Sequence, residues 1–161
     1  MSKRQYFSFY LGEQLYGIDI LLVREIIKNF DITPVELAPE NVYGLINLRG
    51  QIVTVIAPSV SLWKKKTVVP SSTCIVLKSN SELSRIQISS TLEGRPEDEL
   101  AGLLIDGTHD VYDIETSDIE LPPPNMKDIE SNNLSGVVKL EGSLMMLLNV
   151  QEILNGNGKE M

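Results

Sequence analysis

The chain predicts a mainly β fold, a barrel or sandwich rather than a helical bundle. Short apolar runs recur along almost its whole length, and turn-forming residues separate them. Helical periodicity is brief wherever it occurs, and glycines fall where hairpins need permissive backbone.

Taken in order, residues 6–11 and 14–20 read as a first hairpin around Gly12-Glu13. The next piece is ambiguous. Ile18, Leu21, Leu22, Glu25 and Ile26 fit helical spacing, while Val23, Glu25 and Ile27 alternate; a helical turn feeding a strand over 23–27 satisfies both. Pro39-Glu40 suits the first turn of a short helix ending before Gly44. Strands over 42–48 and 51–56 then flank Arg49-Gly50, the lone charge in an apolar hairpin. Further strands are expected at 73–78, 83–89, 101–105 and 111–114, and a last hairpin at 134–140 and 144–149 turns on Glu141-Gly142. Residues 150–155, with Gly156 beyond them, read as a short terminal helix with a glycine stop. Pro122-Pro123-Pro124 cannot join a sheet ladder and reads as a stiff exposed connection, and 91–99 reads as a surface loop.

Length and composition bound the rest. A chain of 161 residues buries about 70% of its unfolded surface on folding, enough to need no disulfide or metal. Cys74 is the only cysteine and lies in an apolar run, so it reads as a buried thiol in a reducing compartment. The apolar stretch near the start is too short for a signal peptide, and no run approaches the ~20 residues of a membrane span. These features predict a cytoplasmic protein with no direct membrane insertion. A net charge of -8 argues against nucleic acid as partner, because such binding rests on a basic surface. The run Lys64-Lys65-Lys66 reads as a solvated segment.

Chemistry is sparse. The sequence has no Walker A pattern, dinucleotide fingerprint, nucleophile elbow or zinc-holding pair. His109 is the only histidine, so a hydrolase would have to pair it with Asp106 or Asp110; a solvent-facing turn residue is the simpler reading. The acidic series from Asp106 to Glu120 lacks EF-hand spacing and reads as a solvated face. No cofactor, metal site or catalytic residue is expected.

Four blocks carry a family resemblance. They are Tyr16-Gly17-Ile18-Asp19-Ile20 with Val23-Arg24-Glu25-Ile26, then Gly44-Leu45-Ile46-Asn47-Leu48-Arg49-Gly50-Gln51-Ile52-Val53, then Gly102-Leu103-Leu104-Ile105-Asp106-Gly107 through Val111, and Leu134-Ser135-Gly136-Val137 with Leu147 through Leu154. In this order and spacing they resemble the CheW-like domain of bacterial chemotaxis, over residues 5–155, with 156–161 as a C-terminal tail. The resemblance implies two intertwined SH3-like five-stranded β-barrels with short helices and no catalysis. It implies an adaptor that joins chemoreceptor signalling tips to the regulatory domain of a CheA-type histidine kinase, recruited to receptor arrays at the inner membrane. A divergent scaffold or a decoy in another chemosensory or motility system is the alternative.

Carried over residue by residue, the receptor-binding set is Val23, Glu25, Gly44 and Arg49. On a regular strand Val23 and Glu25 point the same way, Gly44 allows close approach, and Arg49 offers a planar fork of donors. The kinase-binding set is Ile32 and Val35 on one barrel and Pro124 and Met126 on the other. The chain departs from the family at Pro124-Asn125-Met126, which lacks the usual acidic and aromatic residues, and at Ala57-Pro58, where a turn aspartate is lost.

Overall fold

The computed structural model describes residues 2–63, 73–86, 99–123 and 132–155. Among them are ten strands in two five-stranded sheets, three short α-helices and two single 3-10 turns. The chain begins with the hairpin β1 (Lys3–Leu11) and β2 (Gln14–Asp19). A 3-10 turn at Ile20–Leu22, capped by Asp19 Oδ1 accepting from the Leu21 amide at 2.9 Å, feeds β3 (Val23–Lys28). That is the turn-then-strand arrangement its mixed periodicity suggests.

The chain then builds β4 (Val42–Leu48), β5 (Gln51–Ile56), α1 (Pro58–Trp63), β6 (Thr73–Leu77), α2 (Asn80–Arg85) and β7 (Leu100–Ile105). It returns with β8 (Gly107–Glu115), β9 (Leu134–Leu140), β10 (Ser143–Leu148) and α3 (Val150–Asn155). The first sheet runs β8-β1-β2-β10-β9 and the second β3-β6-β7-β5-β4. The chain therefore leaves the first sheet after two strands, completes the second, and comes back. The two halves are intertwined, as expected.

Three expectations about elements change. The strand expected at 83–89 is helical in its described part, because Ser79 and Glu82 form a reciprocal capping box that nucleates α2. Between Pro39 and Gly44 there is a turn closed by the Val42 amide on the Pro39 carbonyl at 2.9 Å, not a helix. Helix α1, starting at Pro58, lies where no helix is expected from periodicity.

The two sheets share one topology. Each contains a parallel pair, β2 with β10 and β5 with β7, flanked by antiparallel neighbours. Aligning Gly17 with Gly102 superposes the registers: Ser8 then matches Val76, Phe7 matches Ile75, and Tyr6 matches Cys74. Each sheet is also clamped by an isolated bridge, Thr33 to Leu45 in one and Glu120 to Val137 in the other. The glycine before each bridge, Gly44 or Gly136, leaves the space into which Ile32 or Ile119 packs.

Alternation splits each strand between two cores. Tyr6, Leu15, Val138, Met145 and Leu147 fill the first barrel, and Ile46, Val53, Val55, Cys74, Leu100 and Leu104 the second. The opposite faces meet in a larger shared core that includes Phe9, Tyr16, Ile18, Ile56, Ile75, Leu77, Leu103, Ile105, Leu148 and Ile153. Helix α3 buries Val150, Ile153 and Leu154 there, and the Asn41 side chain donates to the Ile153 carbonyl at 3.2 Å.

Candidate partner-docking site

The hairpin between β4 and β5 has a two-residue loop, since Leu48 pairs with Gln51. Arg49 (φ 51°) and Gly50 (φ 89°) are both left-handed, as a type I′ turn requires. Glycine meets that demand freely, whereas an arginine there opposes the steric preference of any residue with a Cβ. Asn47 Oδ1 accepts from the Gly50 amide at 2.9 Å and braces the turn.

Arg49 reaches across to β3, where its Nη2 donates to Glu25 Oε2 at 2.5 Å. Strand β3 and the pair β4–β5 lie toward opposite edges of their sheet, so this contact requires the sheet to curl on itself. Beside it, Arg24 Nη1 donates to Gln51 Oε1 at 3.5 Å and Arg24 Nε lies 3.4 Å from Glu82 Oε2. A polar seam thus closes the second barrel. The Arg49 side chain is still 66% exposed and Glu25 28%, so the pair contributes no more than about 1 kcal/mol to folding. Its donors remain open to solvent and to a partner. Ile52, next along β5, is 57% exposed and gives the tip an apolar shoulder.

The other expected residues separate. Strand β3 carries a β-bulge at Arg24: Val23 pairs with Leu77 and Glu25 with Val76, its immediate neighbour. Neighbours on β6 face opposite ways, so Val23 and Glu25 do too, contrary to the regular-strand reading. Val23 packs against the shared core. Glu25 turns to the seam. Gly44 is buried, and the space above it is taken within the chain: a Cβ there would meet Ile32 Cγ2 and come within 2.6 Å of the Thr33 carbonyl. The close approach that Gly44 permits is that of the Ile32-Thr33 segment. Ile32 is half-buried against the second-barrel core, and Val35 beyond it is 41% exposed. Pro124 and Met126, like Lys64-Lys65-Lys66 and the tail 156–161, lie outside the described residues.

The His109 neighbourhood does not assemble an acid–base pair. Asp106 Oδ2 accepts from the Gly12 amide at 2.6 Å and so holds the first hairpin. Asp110 stands 3.9 Å from His109 Nε2, which instead meets the Tyr112 hydroxyl at 3.2 Å. The Tyr10 ring packs edge-on against the imidazole. Among the described residues, no three His, Cys, Asp or Glu side chains converge as a metal site. Burial pushes the Cys74 thiol up to about 12, which leaves it protonated and unreactive at neutral pH. No helix among the described residues is long and apolar enough to cross a membrane.

Comparison with known proteins decides the family. The CheW-like domain family matches residues 5–157. The chain belongs to the CheW-like family. It is similar to the chemotaxis protein CheW of Treponema pallidum, 30% identical over 151 residues that cover 94% of this chain and 82% of that one. The Helicobacter pylori chemotaxis protein CheW is also 30% identical over 151 residues, covering 93% and 81%. A crystal structure of the scaffolding protein TtCheW from Thermoanaerobacter tengcongensis matches with a TM-score of 0.76 at 30% identity, over 100% of this chain and 94% of that one. The two-barrel architecture is therefore the family's.

The register mismatch in β3 and the Arg49–Glu25 contact were not legible in this CheW-like sequence. Bulges leave no composition signal. An arginine beside a glycine in a two-residue loop does signal a left-handed tip, and that clue was available.

Proposed function

We propose that this chain is a non-catalytic adaptor that couples chemoreceptor signalling tips to the regulatory domain of a CheA-type histidine kinase. It would work in the cytoplasm, at receptor arrays on the inner membrane. The observation that carries this reading is the presentation of Arg49 on a strained type I′ tip, steered by Glu25 and largely open to solvent. A charge placed so contributes little to folding, and its donors are free to meet carboxylates or carbonyls of a helical receptor hairpin. Val23 would support the same surface from the apolar side of the bulge, and Gly44 would seat the segment leading to Ile32 and Val35, the kinase-facing surface. The similarity to proteins named for chemotaxis and scaffolding supports the assignment.

Reconstitution with the cognate receptor and kinase tests it. Wild type should stimulate kinase phosphorylation, and Arg49→Asp should abolish stimulation while keeping the native circular dichroism spectrum. Full stimulation by the folded Arg49→Asp protein would remove the arginine from the receptor contact. Receptor binding by wild type without any stimulation would instead identify a decoy.

A further inference from the structure

The loop between β3 and β4 carries a leucine that the fold does not use. Leu37 is 103% exposed and adopts φ 62°, the left-handed region that side chains with a Cβ avoid. Glycine or asparagine would take that conformation more readily and would not present an apolar surface to water. Both folding terms therefore act against leucine at this position.

The loop that holds it is braced at both roots. Thr33 and Leu45 exchange two backbone hydrogen bonds of 2.8 Å, and the Val42 amide donates to the Pro39 carbonyl at 2.9 Å. Pro34 and Pro39 each fix a backbone dihedral within the span. Val35 stands 41% exposed two residues before the leucine. Asp31, Glu36 and Glu40, all exposed, make the same segment acidic.

We propose that Leu37 is the apolar anchor of this loop and inserts into an apolar, cationic-rimmed pocket on the protein that docks at Ile32 and Val35. The inference rests on the reading of those two residues as a docking surface, and it adds the residue that anchors the contact and the chemistry of what receives it. A braced loop loses little freedom on docking, so most of the free energy of burying the leucine appears as affinity. Central apolar anchors in a pocket dominate such interfaces, while flanking charges set partner choice and encounter rate. The three carboxylates select a basic rim.

The test titrates the regulatory domain of the cognate kinase with wild type, Leu37→Asn, Leu37→Met, Glu36→Lys and Val35→Asp, and follows urea unfolding of each variant. Leu37→Asn should weaken binding at least tenfold while its unfolding midpoint equals or exceeds that of wild type, since the substitution relieves the backbone and removes exposed apolar surface. Leu37→Met should bind within about threefold of wild type. Glu36→Lys should slow association and flatten its dependence on salt. Binding of Leu37→Asn within twofold of wild type overturns the proposal, as does a clear fall in its unfolding midpoint, which would assign the leucine to the fold. The same outcome with Val35→Asp also binding normally would remove the docking surface itself; loss with Val35→Asp alone would leave that surface and reject only the anchor.

Discussion

The two barrels are built alike and finished differently. Each has an equivalent strand order, a bulge opposite the same position of its central antiparallel pair, a glycine-clamped bridge and a helix after the last hairpin strand. In β8, His109 and Asp110 lie between the residues that pair with Phe9 and Phe7, as Arg24 and Glu25 lie between those that pair with Leu77 and Ile75. Glu141-Gly142 is the counterpart of Arg49-Gly50. The first barrel therefore has two carboxylates, Asp110 and Glu141, where the second has the Arg49–Glu25 ion pair. The first sheet has the same topology without such a pair, so the topology itself does not require it. What the halves share is framework. What they do not share is where the proposed docking surface lies.

The framework should break hardest at the glycines. At Gly44 an added Cβ would lie 2.6 Å from the Thr33 carbonyl, a backbone atom held by the Leu45 amide; at Gly136 the corresponding Glu120 carbonyl is 3.2 Å away. Gly44→Ala should cost about 3 kcal/mol and Gly136→Ala nearer 1 kcal/mol, the range for overpacking. Urea unfolding of the two variants measures the difference. Equal costs would mean that the two clamps are interchangeable.

The docking side of the comparison should break next. Arg49→Glu creates the two-carboxylate arrangement that the first barrel already tolerates, so stability should change by less than about 1 kcal/mol. Binding to a receptor signalling fragment should fall by about 2 kcal/mol or more, roughly thirtyfold. Glu141→Arg, the mirror substitution, should leave receptor binding unchanged. A receptor titration that loses affinity with Glu141→Arg would spread the site over both barrels.

Much of this architecture was legible, and the failures have physical causes. The strands announced themselves through alternation, whereas the two-barrel arrangement was an expectation from the family resemblance. The strand expected at 83–89 failed because Ile86 and Ile88 alternate as in a strand while Leu83 and Ile86 stand one helical turn apart, and the deciding signal was the local capping box at Ser79 and Glu82. Strand β8 extends back to Gly107 because pairing with β1 overrides the low intrinsic preference of Asp110 for strand. Val23 and Glu25 were expected to point the same way and do not, since a bulge is set by tertiary pairing rather than by residue type.

The interiors offer a subtler contrast. Tyr6 and Cys74 occupy equivalent positions, and burial pushes the ionisation of each upward; near Tyr6 the Asp19 carboxylate adds to the rise and Arg4 opposes it. For Cys74 the folded value of about 12 exceeds the unfolded 9.0, so the unfolded chain ionises first. Its contribution is complete below pH 9 and is lost as pH rises toward 12, at about 1.4 kcal/mol per pH unit. Unfolding midpoints should fall between pH 9 and 10 for wild type and fall much less there for Cys74→Ala, since the Tyr6 contribution sets in at higher pH. A slope that persists in Cys74→Ala would shift the effect to other groups.

The smallest predicted effect comes from the helices that follow the two equivalent hairpins. Before α3, Asn149 Oδ1 accepts from the Glu152 amide at 3.2 Å, and the Asn149 amide donates to the Asn133 carbonyl at 2.8 Å. Before α1, Ala57 makes the equivalent backbone contact, its amide donating to the Asn41 carbonyl at 2.8 Å, but has no side chain with which to cap. One helix start is capped and its twin is not. Ala57 is 2% exposed, which admits a hydroxyl more readily than a carboxylate. Ala57→Ser should therefore raise stability by about 0.5–1 kcal/mol, the usual worth of an N-cap, and Asn149→Ala should lower it by a similar amount. The cap acts on the amides of the first helical turn, so neither change should alter receptor or kinase binding; a gain in Ala57→Ser with unchanged coupling would show that the missing cap weakens the second barrel without serving its contacts.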